Sequence, residues 1–152
     1  AAVAASRAHK ICVVVPVHPN PAVSEVVTER LASAPGVKLI DPLGYRQMVA
    51  LLCRCRLVVT DSGGLQEEAP ALGVPVLVLR EATERPEGIA GGAVQLVGTD
   101  PMAIKAGMSR LLDAPPAADP GIPCPSPYGD GFASARVTDA LVGRPVKPFV
   151  PA

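Results

Sequence analysis

Five short apolar runs, separated by stretches with helical spacing, limit what this chain can fold into more than any other feature. They are ICVVVPV at 11–17, VKLI at 37–40, LVVT at 57–60, PVLVL at 75–79 and AVQLV at 93–97. Continuous β-branched runs of this length belong to parallel strands buried on both faces. Between them, Val23, Val26, Val27 and Leu31 recur at helical spacing until Ala34-Pro35-Gly36 stops the pattern. Tyr45, Met48, Val49, Leu51 and Leu52 do the same over 45–55. Asp100-Pro101 reads as an N-cap followed by Pro at the first helical position, opening a helix that runs to Asp113. Residues 132–142 form a last helix, and residues 1–9 read as the end of a helix whose beginning is absent. Strand and helix alternate throughout, which predicts an α/β fold with a doubly wound parallel sheet.

In such a sheet, ligands bind beyond the carboxyl ends of the strands. The polar residues fall there: His18, Asp41, residues 61–64 and residues 80–85 each follow the end of a run. The most informative stretch is LVVTDSGGLQEEAP at 57–70, a strand, a glycine turn and a helix start. Ser62, Gly63 and Gly64 would offer free backbone N–H groups and the positive end of a helix dipole to one anion, most often a phosphate. The stretch is neither G-x-x-x-x-G-K-[ST] nor G-x-G-x-x-G, so it gives no support for ATP hydrolysis or a nicotinamide cofactor. Glu67 and Glu68 favour the helix dipole, yet would repel a phosphate if they faced it. A carboxylate one turn in from a diphosphate is placed to accept from ribose hydroxyls, which makes a nucleotide diphosphate more coherent than bare phosphate. Arg80 and Arg85, on the next loop, either neutralise phosphate oxygens or pair with Glu81, Glu84 or Glu87. His18 is equally a ligand contact or a cap on the strand end.

Composition narrows the partners. The 152 residues are one domain's worth of chain, and the formal net charge is zero, so no field draws nucleic acid or a membrane surface. Aromatics are 3% and Trp is absent, which argues against base-stacking platforms. No apolar run approaches the ~20 residues that span a bilayer. Cys12, in an apolar run, is expected to be a buried free thiol. Cys53 and Cys55 are two apart on a helix and face different sides, a poor metal pair; no metal and no cofactor are expected. Reduced thiols fit a cytoplasmic location. Prolines crowd residues 114–127, expected to be irregular, and residues 143–152 read as a tail.

Taken together, several stretches resemble the non-hydrolysing UDP-N-acetylglucosamine 2-epimerases. They are PVHPNP at 16–21, TDSGGLQEEAP at 60–70, GVPVLVL at 73–79, REATERPE at 80–87, VGTD at 97–100 and PYGDG at 127–131, in family order. The resemblance implies a Rossmann-like C-terminal domain of a two-domain, glycosyltransferase-B-like fold, over residues 1–142. It implies that Ser62, Gly63, Gly64 and Arg85 hold the diphosphate of UDP, and that Glu68 takes the ribose hydroxyls. Pro42, Leu43 and Met48 would face the uracil, where the family often has Phe at the position of Met48. His18 matches a His near a second, activating UDP-N-acetylglucosamine in bacterial members. The implied partners are UDP and a UDP-N-acetylhexosamine, with full-length members acting as homodimers in cell-envelope polysaccharide biosynthesis. The implied reaction is isomerisation at C2 of the amino sugar, by elimination and re-addition of UDP.

The resemblance covers only the C-terminal part of such an enzyme. The N-terminal domain with its catalytic carboxylates, and the His-Arg-Arg-Glu motif, have no counterpart in the chain. It therefore implies a UDP-gripping half with no catalytic residue, inactive and poorly stable alone. Other readings are the UDP-sugar-binding half of a related glycosyltransferase or hydrolysing epimerase, or a non-catalytic UDP-binding module. In strand order 3-2-1-4-5-6, residues 11–17 would be the second strand and residues 57–60 the fourth. The first strand, their shared neighbour, would be lacking. The two runs should then either pair directly or leave a gap.

Overall fold

A computed structural model describes residues 1–115 and 126–150. The elements run α1 (Ala2–His9), β1 (Val13–Pro16), α2 (Pro21–Leu31), β2 (Val37–Ile40), α3 (Tyr45–Leu52), β3 (Val58–Thr60) and α4 (Gly63–Ala71). They continue with β4 (Val76–Val78), α5 (Pro86–Ala90), β5 (Val94–Leu96), α6 (Pro101–Asp113) and α7 (Ala133–Leu141). The segment 116–125, inside the proline-rich stretch expected to be irregular, lies outside the described residues.

All strand pairs are parallel, as helical crossovers require. They form two sheets rather than one. β1 pairs with β2, Val13 opposite Val37 through Pro16 opposite Ile40. β3, β4 and β5 form the other in that order, Val58 opposite Val76 and Val76 opposite Val94. β1 and β3 do not pair, so of the two expected arrangements the chain adopts the gap.

The core sits on the three-stranded sheet. On one face, Leu52, Val58, Ala69, Val74, Val76, Val78 and Val94 cluster, with Met48 and Leu65 packed against them. On the other, Leu77 meets Ala5, Met108 and Leu112. β4, the central strand, is buried on both faces, which is why its run is continuous rather than alternating. The β1–β2 pair is different: no residue in it is fully buried, and α2, despite its helical spacing, buries none either. Cys12, expected to be a buried thiol, is exposed. β1 begins one residue later, at Val13, and its residues are only half-buried, so the apolar run overstates the burial of its first residues.

Local chemistry sets the element ends. Asp100 caps α6 by accepting from Met102 N–H and Ala103 N–H at 3.3 and 3.0 Å, with Pro101 in the first turn. Asn20 caps α2 the same way ahead of Pro21. Arg56 donates to the carbonyls of Leu112 and Ala114, both at 3.2 Å, and so satisfies the end of α6 from across the fold. Gly36, at φ 75°, turns the chain into β2 where a side chain would strike the Ser6 hydroxyl. No helix among the described residues is long and apolar enough to cross a membrane.

Candidate functional site

The site is built at the carboxyl ends of β3 and β4. Thr60 ends β3, and its Oγ1 accepts from Ser62 N–H at 3.0 Å, closing a two-residue turn into α4. Ser62 is the N-cap of α4, in extended conformation, and its hydroxyl makes no capping bond. Gly63 and Gly64 are the first two helical residues. Among the described residues, the Ser62 side chain thus leaves the donors of this first turn uncapped. The absence of side chains at 63 and 64 keeps the approach open. A Cβ on Gly64 would lie 3.6 Å from Glu68 Oε1 and 4.0 Å from Ser62 Oγ. A Cβ on Gly63 would crowd Glu84 Oε1 at 3.0 Å.

That geometry separates the two adjacent glutamates. Glu68 lies over the first turn of α4, beside Gly64 and Ser62. Glu67 points to the neighbouring loop, where its Oε1 accepts from Arg85 Nε. Successive helical residues point about 100° apart, so one carboxylate faces the cradle and the other faces the arginine. Arg85 therefore does not use Glu81, Glu84 or Glu87 as its ion-pair partner; its partner is on α4. The hydrogen bond and charge of Glu67 hold the Arg85 guanidinium even further above its ordinary range. Arg80 instead pairs with Glu84 at 3.2 Å, both side chains well exposed, an arrangement worth little in stability.

The other expected contacts lie on the β1–β2 side. His18 is exposed, two residues past β1, and its Nδ1 accepts from Asn20 N–H at 3.1 Å. Pro42 and Leu43 follow β2, exposed and half-buried respectively, and Met48 packs its side chain against the core face that also receives Leu65 of α4. Among the described residues, no three His, Cys, Asp or Glu side chains are grouped to hold a metal ion.

Three residues that lie within the quoted motifs, but to which the sequence reading gave no role, reach into the site. Gln66 is 0% exposed. Its Nε2 donates to Ser62 O at 3.2 Å and its Oε1 accepts from Thr83 Oγ1 at 2.6 Å. Thr83 Oγ1 in turn accepts from Arg85 N–H at 3.1 Å. Tyr128, from the PYGDG turn, accepts from Gly88 N–H at 2.9 Å and donates to Arg85 O at 3.3 Å. Burial raises the Tyr128 phenol above its ordinary value and keeps it a donor. One signal for Gln66 was available: it lies three and four residues before Ala69 and Pro70, on the buried stripe of α4, so it needed internal partners.

Known proteins resemble this chain in sequence and in fold. The model of the UDP-N-acetylglucosamine 2-epimerase family matches residues 1–142. The UDP-N-acetylglucosamine 2-epimerase of Salmonella typhimurium is 47% identical over 137 residues, covering 90% of this chain and 36% of that protein. The UDP-GlcNAc 2-epimerase of Neisseria meningitidis, solved bound to UDP-GlcNAc, superposes with a TM-score of 0.82 at 38% identity, over 93% of this chain and 38% of its own. The S. aureus MnaA–UDP co-structure gives 0.81 at 32% identity, over 97% and 43%. The chain thus spans well under half the length of the relatives it matches.

Proposed function

Because the chain belongs to the UDP-N-acetylglucosamine 2-epimerase family, we propose that it is the UDP-gripping part of an epimerase interconverting UDP-N-acetylglucosamine and UDP-N-acetylmannosamine. One observation carries the proposal: the Ser62 hydroxyl, the bare first turn of α4 and the Glu68 carboxylate converge at the end of β3, with the Arg85 loop alongside. A diphosphate would take its hydrogen bonds from Ser62, Gly63 and Gly64, with Arg85 neutralising its charge. Glu68, a short step along the same helix, would accept from the ribose hydroxyls. Pro42, Leu43 and Met48 would wall the uracil. His18, exposed just past β1, would face the sugar side as a contact to substrate or to a second nucleotide sugar.

In the proposed reaction a proton leaves C2 and UDP leaves C1, giving 2-acetamidoglucal and UDP. Re-addition returns UDP to C1 and a proton to the opposite face of C2. Between these steps nothing covalent joins UDP to the sugar, so its grip must hold the leaving group in place. This chain would supply that grip, and the groups that move the C2 proton would come from elsewhere in a whole enzyme.

Calorimetric titration of UDP tests the reading. Loss of one charge-assisted hydrogen bond costs about 1.5–3 kcal/mol, so Ser62→Ala and Glu68→Ala should each weaken UDP binding about 10- to 100-fold. Unchanged affinity in both variants would remove the site assignment.

A further inference from the structure

The cradle and the arginine loop are joined by a chain of hydrogen bonds through the protein interior. It begins at Ser62 O, which accepts from Gln66 Nε2 at 3.2 Å, and crosses to the loop where Gln66 Oε1 accepts from Thr83 Oγ1 at 2.6 Å. It ends at Arg85 N–H, which donates to Thr83 Oγ1 at 3.1 Å. The Arg85 carbonyl is held from the opposite direction by the Tyr128 hydroxyl at 3.3 Å.

We infer that Gln66, Thr83 and Tyr128 are positioning residues that fix the Arg85 backbone relative to the Ser62 turn, and so set the spacing between the two groups that grip the diphosphate. The inference rests on the proposed UDP site and adds how that site is held in shape. Each member has one role. Gln66 is fully buried, and both ends of its amide are engaged, one on each phosphate-facing segment. A buried amide with both ends satisfied fixes distance and direction, because any slippage would leave a polar atom unpaired in a dry environment. Thr83 is the joint: its hydroxyl donates to Gln66 and accepts from Arg85, and both bonds need the oxygen. Tyr128 clamps the carbonyl side, and Gly88 N–H, donating to the same oxygen, fixes the phenol in turn. The Glu67 carboxylate then aims the guanidinium from the side. The arginine is thus held at its amide, its carbonyl and its side chain before any ligand arrives, which lowers the cost of ordering it on binding.

The test uses the full gene product, UDP and uridine as ligands, and a double-mutant cycle. Thr83→Val removes the hydroxyl while keeping shape, and should weaken UDP binding about 10-fold, whereas Thr83→Ser, which restores the oxygen, should stay within about 2-fold of wild type. Tyr128→Phe, which deletes only the clamp, serves as the second reading if Thr83→Val does not fold. Uridine affinity should be unchanged in all three, since it carries no phosphate. In an Arg85→Ala background, Thr83→Val and Tyr128→Phe should cost no further UDP affinity, because the group they position is gone. A full extra loss in that background, or an equal loss for Thr83→Ser and Thr83→Val, overturns the inference. Weakened UDP binding by Arg85→Ala with no effect of Thr83→Val or Tyr128→Phe overturns the positioning role but leaves the site standing. Unchanged UDP binding by Arg85→Ala removes the arginine's role in the site, and the positioning role with it.

Discussion

Gly88 shows how a single residue can tie a distant motif to the site. It is buried, and its N–H donates to Tyr128, forty residues away in sequence. A Cβ at this position would collide with the Tyr128 hydroxyl and come within 2.7 Å of Val94 Cγ2. The Val94 side chain belongs to β5 and has little room to yield, so Gly88→Ala should destabilise the chain by about 1–3 kcal/mol. Adding Tyr128→Phe relieves only the hydroxyl collision, so the double variant should recover part of that loss in a denaturant melt. Full recovery would mean that Val94 moves freely, and no loss in Gly88→Ala would mean that the Tyr128 contact is absent in solution. At this scale the sequence was readable wherever chemistry was local. Ser62, Gly63, Gly64 and Glu68 could be placed on one turn because they are neighbours on one helix start. The partner of Arg85 could not, since nearby Glu84 and Glu87 compete on spacing while Glu67 wins through the packing of α4 against the next loop. Gln66 and Thr83 were missed for the same reason: their bond spans seventeen residues and depends on burial.

Among the elements, helix starts were the most legible, because Asn20-Pro21 and Asp100-Pro101 combine a side-chain acceptor with a residue that has no N–H to satisfy. Burial was less so: α2 has the spacing of an amphipathic helix, yet Val23 and Val26 are exposed. The PYGDG turn is held to α7 by a two-pronged ion pair. Arg136 Nη1 and Nη2 donate to Asp130 Oδ1 and Oδ2, each at 2.6 Å, and Arg136 Nε donates to Lys147 O at 2.7 Å. The Arg136 hydrogen bonds, joined by Phe132 N–H, hold the Asp130 carboxyl far below the usual carboxylate range. A group with a depressed folded-state value stabilises the fold above its ordinary value of about 4 and loses that contribution as pH falls through the folded one. The anchoring of α7 should therefore persist through mildly acidic pH and fail only in strong acid. Asp130→Asn should remove this dependence. Carboxyl chemical shifts followed by NMR from neutral pH downward would show Asp130 titrating last among the aspartates, and a midpoint near the ordinary value would refute the pairing.

The whole molecule is two parallel sheets of unequal depth, and that inequality predicts how it opens. β4 lies between two packed faces, with Val76, Leu77 and Val78 all at 0% exposure. β1 and β2 hold each other through four register pairs, but none of their residues is fully buried. Opening free energy follows buried apolar contact and protected backbone bonding, so the two sheets should not open as one unit. β1 also has no bond to β3, so no ladder transmits the stability of one sheet to the other. The strand count could be foreseen from five apolar runs; the order followed from the resemblance, which left direct pairing of residues 11–17 with 57–60 and a gap between them as alternatives, and the chain adopts the gap. The uneven burial could not be foreseen, since ICVVVPV reads as more apolar than VVT yet is less covered. Native-state hydrogen exchange on the chain tests the consequence residue by residue. Amides of Val76, Leu77 and Val78 should exchange slowest, with protection close to that of global unfolding. Amides of Val13–Val15 and Val37–Ile40 should exchange much faster, through an opening that leaves the three-stranded sheet intact. Supplying a segment that pairs with both β1 and β3 should raise protection in β1 towards that of β4, because the ladder would then be continuous. Equal protection in both sheets of the chain by itself would contradict this: it would require cooperativity across a boundary that no backbone hydrogen bond between strands crosses.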